Sequence, residues 1–559
     1  MSRLGAYLFF GGLEFPSWAR VHYGQRVVVA CAVIWGLRMS YALVVEKDVS
    51  IRLRDGGAVV ADVFRPAEAG EFPAIMTLGP YPKDIHFSQW NPMAWEQVPE
   101  RGPYMHWETV NPEWWVPQGY AVIRCDTRGT GKSPGTPQLL SRAEAEDFYD
   151  AIEWAGTQTW SNGKVAVMGI SYFAMNAWRV AALQPPHLAA IVPWEGAVDL
   201  YRDAGRHGGI FSSGFFRAWG SHVRSHQTGG GAVDLAPTPP ELYGEMYARN
   251  HPNLADIRVP LLSAGNWGGA GLHLRGNIEG YLAGGSTHKY LQVHVGNHVD
   301  PFYSLEGRLV QYRFLEQFLR GVDTGITREP PVRLAIRYDG ARYRWHYEDE
   351  WPIARTQWTE WYLNASAGSL TTTRPAATSA ASYGADPAAA KTSATFATGA
   401  FDRDTEVTGP VKLRLWVSSS GDDADLFAVV RKLGRDGREV TFPGPMPGGN
   451  PIAVAYGWLR ASHRKLDPSR STPWRPFHTH DELQKLRPGE IVPVNVEIWP
   501  TSVVVERGER LVLEVGAKDD AQSFFQHDDP RDRVRTETNT IHTGGTFDSH
   551  LLLPIIPPR

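Results

Sequence analysis

"GKVAVMGISYFAMNAWRVAALQPP", Gly163 to Pro186, is the stretch on which the fold turns. Val165 to Met168 form a short apolar run of strand length. A Gly/Ser turn follows, and the chain then reads as a helix stopped by Pro185 and Pro186. Ser171 stands two residues after Gly169, at the strand-to-helix turn. In a nucleophile elbow that turn lifts the serine hydroxyl above the sheet, and the small flanking residue avoids a clash as the chain reverses. The G-x-S-x-G pattern is incomplete, because Phe173 replaces the second glycine. On this motif alone an elbow and a plain strand-end serine both stand.

The flanking sequence alternates strand and helix. "FPAIMTLGPY" (72–81), "GYAVIRCDTRGTGKS" (119–133), "LAAIVPWEG" (188–196), "VPLLSAGNW" (259–267) and "HKYLQVHVGNH" (288–298) are apolar runs that end in loops. "AEAEDFYDAIEWAGTQ" (143–158) and "LVQYRFLEQFLRG" (309–321) have helical spacing. Buried apolar strands separated by helices predict a parallel α/β sheet, with ligands bound beyond the carboxyl ends of its strands. The "GTGKS" within "DTRGTGKSPG" (126–135) brings a phosphate-binding loop to mind. The leading glycine of G-x-x-x-x-G-K-[ST] is Asp126 here, however, so the stretch reads as a strand-end loop with Arg128 and Lys132 paired locally. Beyond "TREPPVRLAIRY" (327–338) helices nearly vanish. Alternating segments such as "TQWTEWYLN" (356–364), "VKLRLWVSSS" (411–420), "VPVNVEIWP" (492–500) and "ERLVLEVGA" (509–517) predict a β-sandwich or jelly roll.

Composition narrows the function classes. The 559 residues carry 56 Lys+Arg against 60 Asp+Glu, a net charge of −4, so no basic surface argues for nucleic acid. Two cysteines, Cys31 and Cys125, cannot build a disulfide framework or a cysteine-based zinc site, which fits a cytoplasmic location, with secretion as the alternative. The apolar run in "RVVVACAVIWGLR" (26–38) falls short of the roughly 20 residues of a membrane span. Residues 1–38 are expected to be an extension ahead of a domain opening at Met39, where "VSIRLRDG" and "AVVADVFRP" read as a β-hairpin.

"GPYPKD" (79–84), "GYAVIRCDTRGTGKSPG" (119–135), "WSNGKVAVMGISYFAMNAW" (160–178), "LAAIVPWEGAVDLYR" (188–202) and "VTGPVKLRLWVSSS" (407–420) followed by "DLFAVV" (425–430) together resemble the CocE/NonD family, from about residue 45 onward and in the family's order. That family includes cocaine esterase-type enzymes, X-Pro dipeptidyl peptidases and α-amino acid ester hydrolases. The resemblance implies an α/β-hydrolase core with a helical cap insertion and a C-terminal jelly roll. The corresponding domains are an extension at 1–38, core at 39–199, cap at 200–255, core at 256–328 and a jelly-roll domain at 329–559. It implies serine acyl transfer on a small ester or amide, with no cofactor, metal, nucleic acid or membrane partner; a homodimer is left open. Ser171 matches the nucleophile. The Tyr172 backbone N–H and the Tyr81 phenol match the donors to the oxyanion.

The chain order Ser, acid, His places the base after the last core strand. His298 occupies that loop, whereas His294 falls within the strand. The acid departs from the family: its "GW-x-D" aligns with "GNWGGAG" (265–271), and Gly269 takes the carboxylate position. Three readings follow: a Ser–His dyad, an inactive binding protein, or an acid supplied elsewhere. Glu195, at the end of a neighbouring strand, is the leading substitute, ahead of Asp300 and Glu279. An aminopeptidase-like enzyme is the alternative activity; its ammonium-holding carboxylates would be Asp203, Glu241 and Glu245. Phe211, Phe215, Phe216 and Trp219 are expected either to line the acyl pocket or to pack the cap. "FHTHDE" (477–482) is expected to be a polar or interface loop rather than a zinc site.

Overall fold

The computed structural model describes residues 40–225, 240–386, 389–446, 448–520, 525–534 and 538–558. The expected extension at 1–38 lies outside them. β1 (Leu43–Arg52) and β2 (Ala58–Pro66) form the expected hairpin, with a register shift between Glu46 and Val49. β2 runs antiparallel to β4 (Ala121–Asp126). From β4 the sheet is parallel through β3 (Phe72–Gly79), β5 (Ser161–Ile170), β6 (Leu188–Trp194), β9 (Leu261–Asn266), β10 (Lys289–His294) and β11 (Val332–Arg337). Between β6 and β9 lies a two-residue hairpin, β7 (Arg206–His207) with β8 (Ile210–Phe211). The strand order 1-2-4-3-5-6-9-10-11 with helical crossovers is an α/β-hydrolase sheet. β3 and β4 are buried along their whole length, which explains the near-continuous apolar sequence of β3 and the apolar start of β4, whose Arg124 and Asp126 are buried as well.

α1 (Arg142–Gly156) starts at Ser141, whose hydroxyl accepts from the Glu144 N–H at 3.2 Å, and it buries Phe148, Ile152 and Ala155. α2 (Tyr172–Ala181) follows β5 directly and is buried over its length, so it runs through the middle of the molecule. The β4 loop makes no phosphate site. Asp126 accepts the backbone N–H groups of Lys83 and Lys132 at 2.7 and 2.8 Å. Arg128 pairs with Asp147 and Asp55, and Lys132 with Asp48 and Asp84.

Residues 200–255 depart in part from a helical cap. α3 (Ser213–Ser225) is a helix, and Glu245–Ala248 is a single helical turn. Residues 200–211, however, make a π-helical turn and the β7–β8 hairpin, buried against the C-terminal half. Arg206 pairs with Asp532 at 2.8 Å, and Arg202 donates to the His478 carbonyl at 2.8 Å. This segment therefore belongs to the interdomain core, which polar spacing in the sequence did not reveal. α4 (Leu274–Ala283) and α5 (Leu305–Arg320) complete the helices around β9 and β10.

The C-terminal half is β-rich, with long antiparallel pairings centred on Thr405–Ser419 against Val492–Val505 and on Asp425–Leu433 against Arg510–Gly516. It joins the core sheet where β11 meets the Val492–Val505 strand, Arg337 opposite Val503. "FHTHDE" packs against the 200–211 segment, with the His480 ring 4.9 Å from that of Tyr201. His478 and His480 are buried, and His480 Nδ1 is 3.1 Å from His463 Nδ1.

Candidate active site

Ser171 is the residue between β5 and α2, and its backbone shows why the turn is special: φ is 55° and ψ −111°. A side chain is strained at positive φ, by about 1–3 kcal/mol, and such residues persist where the surrounding structure over-determines them. Gly169 is required beside it: a Cβ there would stand 2.7 Å from Phe173 Cβ and 3.1 Å from the Glu108 carbonyl. Phe173 itself is tolerated because its ring lies against Gly79, where a Cβ would fall 2.6 Å from the ring. The missing second glycine of the motif is thus compensated by a glycine on β3.

Ser171, Tyr81, Glu108, His273 and His298 line one cavity of about 310 Å³. Its walls are apolar: Trp90, Trp107, Phe215 and Trp219 from the core and cap, with Pro445, Met446 and Phe525 from the β-rich half. Phe215 and Trp219 therefore face the cavity, while Phe211 and Phe216 pack against each other with tilted rings, 6.4 Å between centres. The β-rich half also steadies the histidine loop, because the His298 N–H donates to the Pro445 carbonyl at 2.7 Å.

His298 lies beyond the end of β10 and is held at both ring nitrogens. Nδ1 is 2.9 Å from Glu195 Oε2, and Nε2 is 2.9 Å from Glu108 Oε1. Burial pulls the imidazole pKa down, but the charge of Glu195 and hydrogen bonds to Glu108 and Glu195 carry it up to about 10. Glu195 follows β6, has no exposed surface and sits at φ 51°. Its Oε1 accepts from Asn266 Nδ2 at 3.3 Å, so the asparagine of "GNWGGAG" orients the carboxylate. Gly269 lines the cavity without a side chain. His294 is 3.6 Å from Glu195 Oε1 and stacked on Trp194; burial lowers its pKa to about 4. His273 stacks on His298, 5.3 Å between centres, and burial keeps it neutral.

Tyr81 accepts from the Trp219 indole N–H at 3.0 Å, which leaves its own proton to donate. Burial, and then the charge of Glu108, push its pKa well above the ordinary range, so the phenol stays protonated. The Tyr172 phenol donates to Glu144 at 2.7 Å, and Glu144 also accepts from Thr127 Oγ1 at 2.7 Å. The "DTRG" loop thereby anchors the first residue of α2, whose backbone N–H, like the others of a first helical turn, has no intrahelical partner.

Glu279 pairs with Arg475, Asp203 with Arg275 at 2.8 Å and Glu241 with Arg460 at 3.3 Å, so none of the three lines the cavity. Asp300 and Glu245 do not line it either. Among the described residues, one group of three potential metal ligands converges, Asp48, Asp62 and Asp84, and lysines 47, 83 and 132 pair with it. Sequence reasoning missed Glu108, Trp107 and His273. Glu108 lies in an irregular segment between β3 and β4, and no spacing rule marks it.

Fold and cavity define a hydrolase of the α/β-hydrolase type, and comparison with known proteins gives its lineage. Residues 55–235 match the X-Pro dipeptidyl-peptidase (S15 family) model, and residues 324–552 match the X-Pro dipeptidyl-peptidase C-terminal non-catalytic domain. A CocE/NonD family hydrolase from Staphylococcus aureus superposes with a TM-score of 0.87 at 34% identity, over 92% of this chain and 94% of that one. Cocaine esterase of Rhodococcus sp. (strain MB1 Bresler) is 26% identical over 92% of this chain and 98% of its own length. A putative serine esterase of Mycobacterium bovis is 24% identical over 91% and 95%. The chain belongs to the CocE/NonD family of serine hydrolases.

Proposed function

We propose that the protein is a serine esterase that cleaves small carboxylic esters through an acyl-enzyme, with the β-rich half a jelly roll that closes the acyl pocket. The observation that carries this reading is the strained Ser171 sharing a cavity with a histidine whose Nδ1 is bound by a buried carboxylate. Ser171 attacks the carbonyl and His298 takes its proton. Glu195 accepts from Nδ1–H, which orients the ring with Nε2 on the side away from Glu195, and stabilises the imidazolium. Tyr81 and the Tyr172 N–H donate to the oxyanion, where loss of one donor costs about 2.7–4 kcal/mol. Water then releases the acid.

The esterase relatives and the aromatic walls favour esters. The S15 match favours the second reading, release of N-terminal dipeptides, but Asp203 and Glu241 are engaged elsewhere. The test compares p-nitrophenyl esters with X-Pro anilides on the full chain and on Ser171→Ala. Ester turnover that vanishes in the variant supports the esterase. A preference for the anilide would establish the dipeptidase, and turnover that survives in Ser171→Ala would remove Ser171 from the mechanism.

A further inference from the structure

His298 meets two carboxylates, and a serine–histidine–acid mechanism uses only one of them. Glu108 Oε1 occupies the hydrogen-bonding direction of Nε2, the nitrogen that must receive the Ser171 proton. Its other oxygen, Oε2, is buried without a hydrogen bond of normal geometry, while Tyr81 and Trp107 stand beside the carboxylate. The backbone is held for this placement. Glu108 has φ 61°, its carbonyl accepts from the Ile170 N–H at 3.0 Å, and Thr109 bridges to Gly169. The strand that delivers Ser171 therefore also positions Glu108. Ser171, Glu195 and Glu108 are all non-glycine residues at positive φ, a concentration of strain around one histidine.

We infer that Glu108 is a second proton-transfer residue, the general acid that protonates the leaving group while His298 acts as base toward Ser171. The inference rests on the serine-esterase reading above. In the free enzyme the Nε2 proton points at Oε1. Its transfer to Oε1 leaves a neutral imidazole and a neutral carboxyl, a state that burial of Glu108 favours. Ser171 Oγ then bonds to the acyl carbon and its proton passes to Nε2. As the tetrahedral intermediate collapses, the bond from the acyl carbon to the leaving oxygen breaks, and the Glu108 carboxyl gives that oxygen its proton. Acyl-Ser171, an imidazolium and a carboxylate remain. In deacylation water bonds to the acyl carbon and its proton goes to Glu108. The imidazolium proton goes to Ser171 Oγ as that bond breaks, and return of the carboxyl proton to Nε2 restores the starting pair. Protons balance at each step, and no further reactant is needed.

The experiment is a leaving-group series on the full chain, acyl group fixed, read as kcat/KM so that the shared deacylation step drops out. A p-nitrophenolate departs without a proton, whereas an ethoxide needs one. General acid catalysis contributes about 10²–10⁴-fold. Glu108→Gln is therefore expected to raise the ratio of p-nitrophenyl to ethyl ester kcat/KM at least about fiftyfold. Glu108→Asp, which keeps a carboxyl, is expected to return that ratio to within about fivefold of the parent. A Gln variant in which both esters fall by the same factor, or an Asp variant as selective as the Gln variant, would overturn the inference. A variant that only loosens packing lowers both esters together. An inactive parent, or one indifferent to Ser171→Ala, would instead sink the esterase reading itself.

Discussion

Replacing Glu195 by Gln tests the relocated acid. The change is nearly isosteric, but the carboxylate is engaged at both oxygens: Oε2 with His298 Nδ1 at 2.9 Å, Oε1 with Asn266 Nδ2 at 3.3 Å. A glutamine must place its NH₂ on one side. Toward Asn266 it sets donor against donor in a site with no exposed surface. Toward His298 it stabilises the tautomer with the proton on Nε2, which cannot accept from Ser171. Either choice also removes the charge that stabilises the imidazolium. A mis-set histidine costs about 10⁴-fold in kcat in a triad. Here Glu108 still holds Nε2, so about 10³–10⁴-fold is expected, or about 4–5.5 kcal/mol at ~1.36 kcal/mol per decade. The assay is stopped-flow acylation with a p-nitrophenyl ester at pH 7.5, with circular dichroism to show that the variant is folded. A folded Glu195→Gln protein that acylates within about threefold of the parent would refute the assignment and return the choice to a Ser–His dyad.

Tyr81→Phe should lower kcat about 10²–10³-fold with little change in KM, read from steady-state ester hydrolysis. Ser171→Gly should raise the melting temperature above that of Ser171→Ala, because only glycine relieves φ 55°; equal melting temperatures would show that the turn is unstrained. Gly169→Ala should destabilise the chain by about 1–3 kcal/mol in urea titration, since its Cβ meets Phe173 and the Glu108 carbonyl. The folded imidazole of His298 titrates near 10, above the unfolded value of about 6.5. Its contribution is therefore fully present below about pH 6.5 and lost as pH rises through about 10. The melting-temperature gap between the parent and His298→Gln should accordingly be widest at acid pH and shrink toward pH 10; a gap that widens with pH would contradict this.

Local signals account for much of what was legible. Ser171 is marked by a strand, a small residue and a helix in immediate succession. His298 follows from chain order, and Glu195 from the rule that strand ends in a parallel sheet lie side by side. In the β-rich half, period-two alternation is strong enough to read each strand alone. The remainder depends on contacts between distant segments. Glu108 is placed by a hydrogen bond to Ile170 and a bridge to Gly169, more than sixty residues away in the chain. The 200–211 segment looks polar because Arg202, Asp203 and Arg206 are there. Arg202 donates to the His478 carbonyl, Asp203 pairs with Arg275 and Arg206 with Asp532, all of them buried, and charge in a sequence does not reveal such pairing. The substitution at Phe173 likewise makes sense only once Gly79 is seen beneath its ring.

The whole mechanism turns on Ser171 being an activated nucleophile. Labelling the full chain with a fluorophosphonate and mapping the modified peptide by mass spectrometry tests it most directly. One phosphonyl group on the Ser171 peptide, absent in Ser171→Ala and strongly slowed in His298→Gln, is the expected result. A chain that stays unlabelled while folded, or that carries the label on another residue, would contradict it.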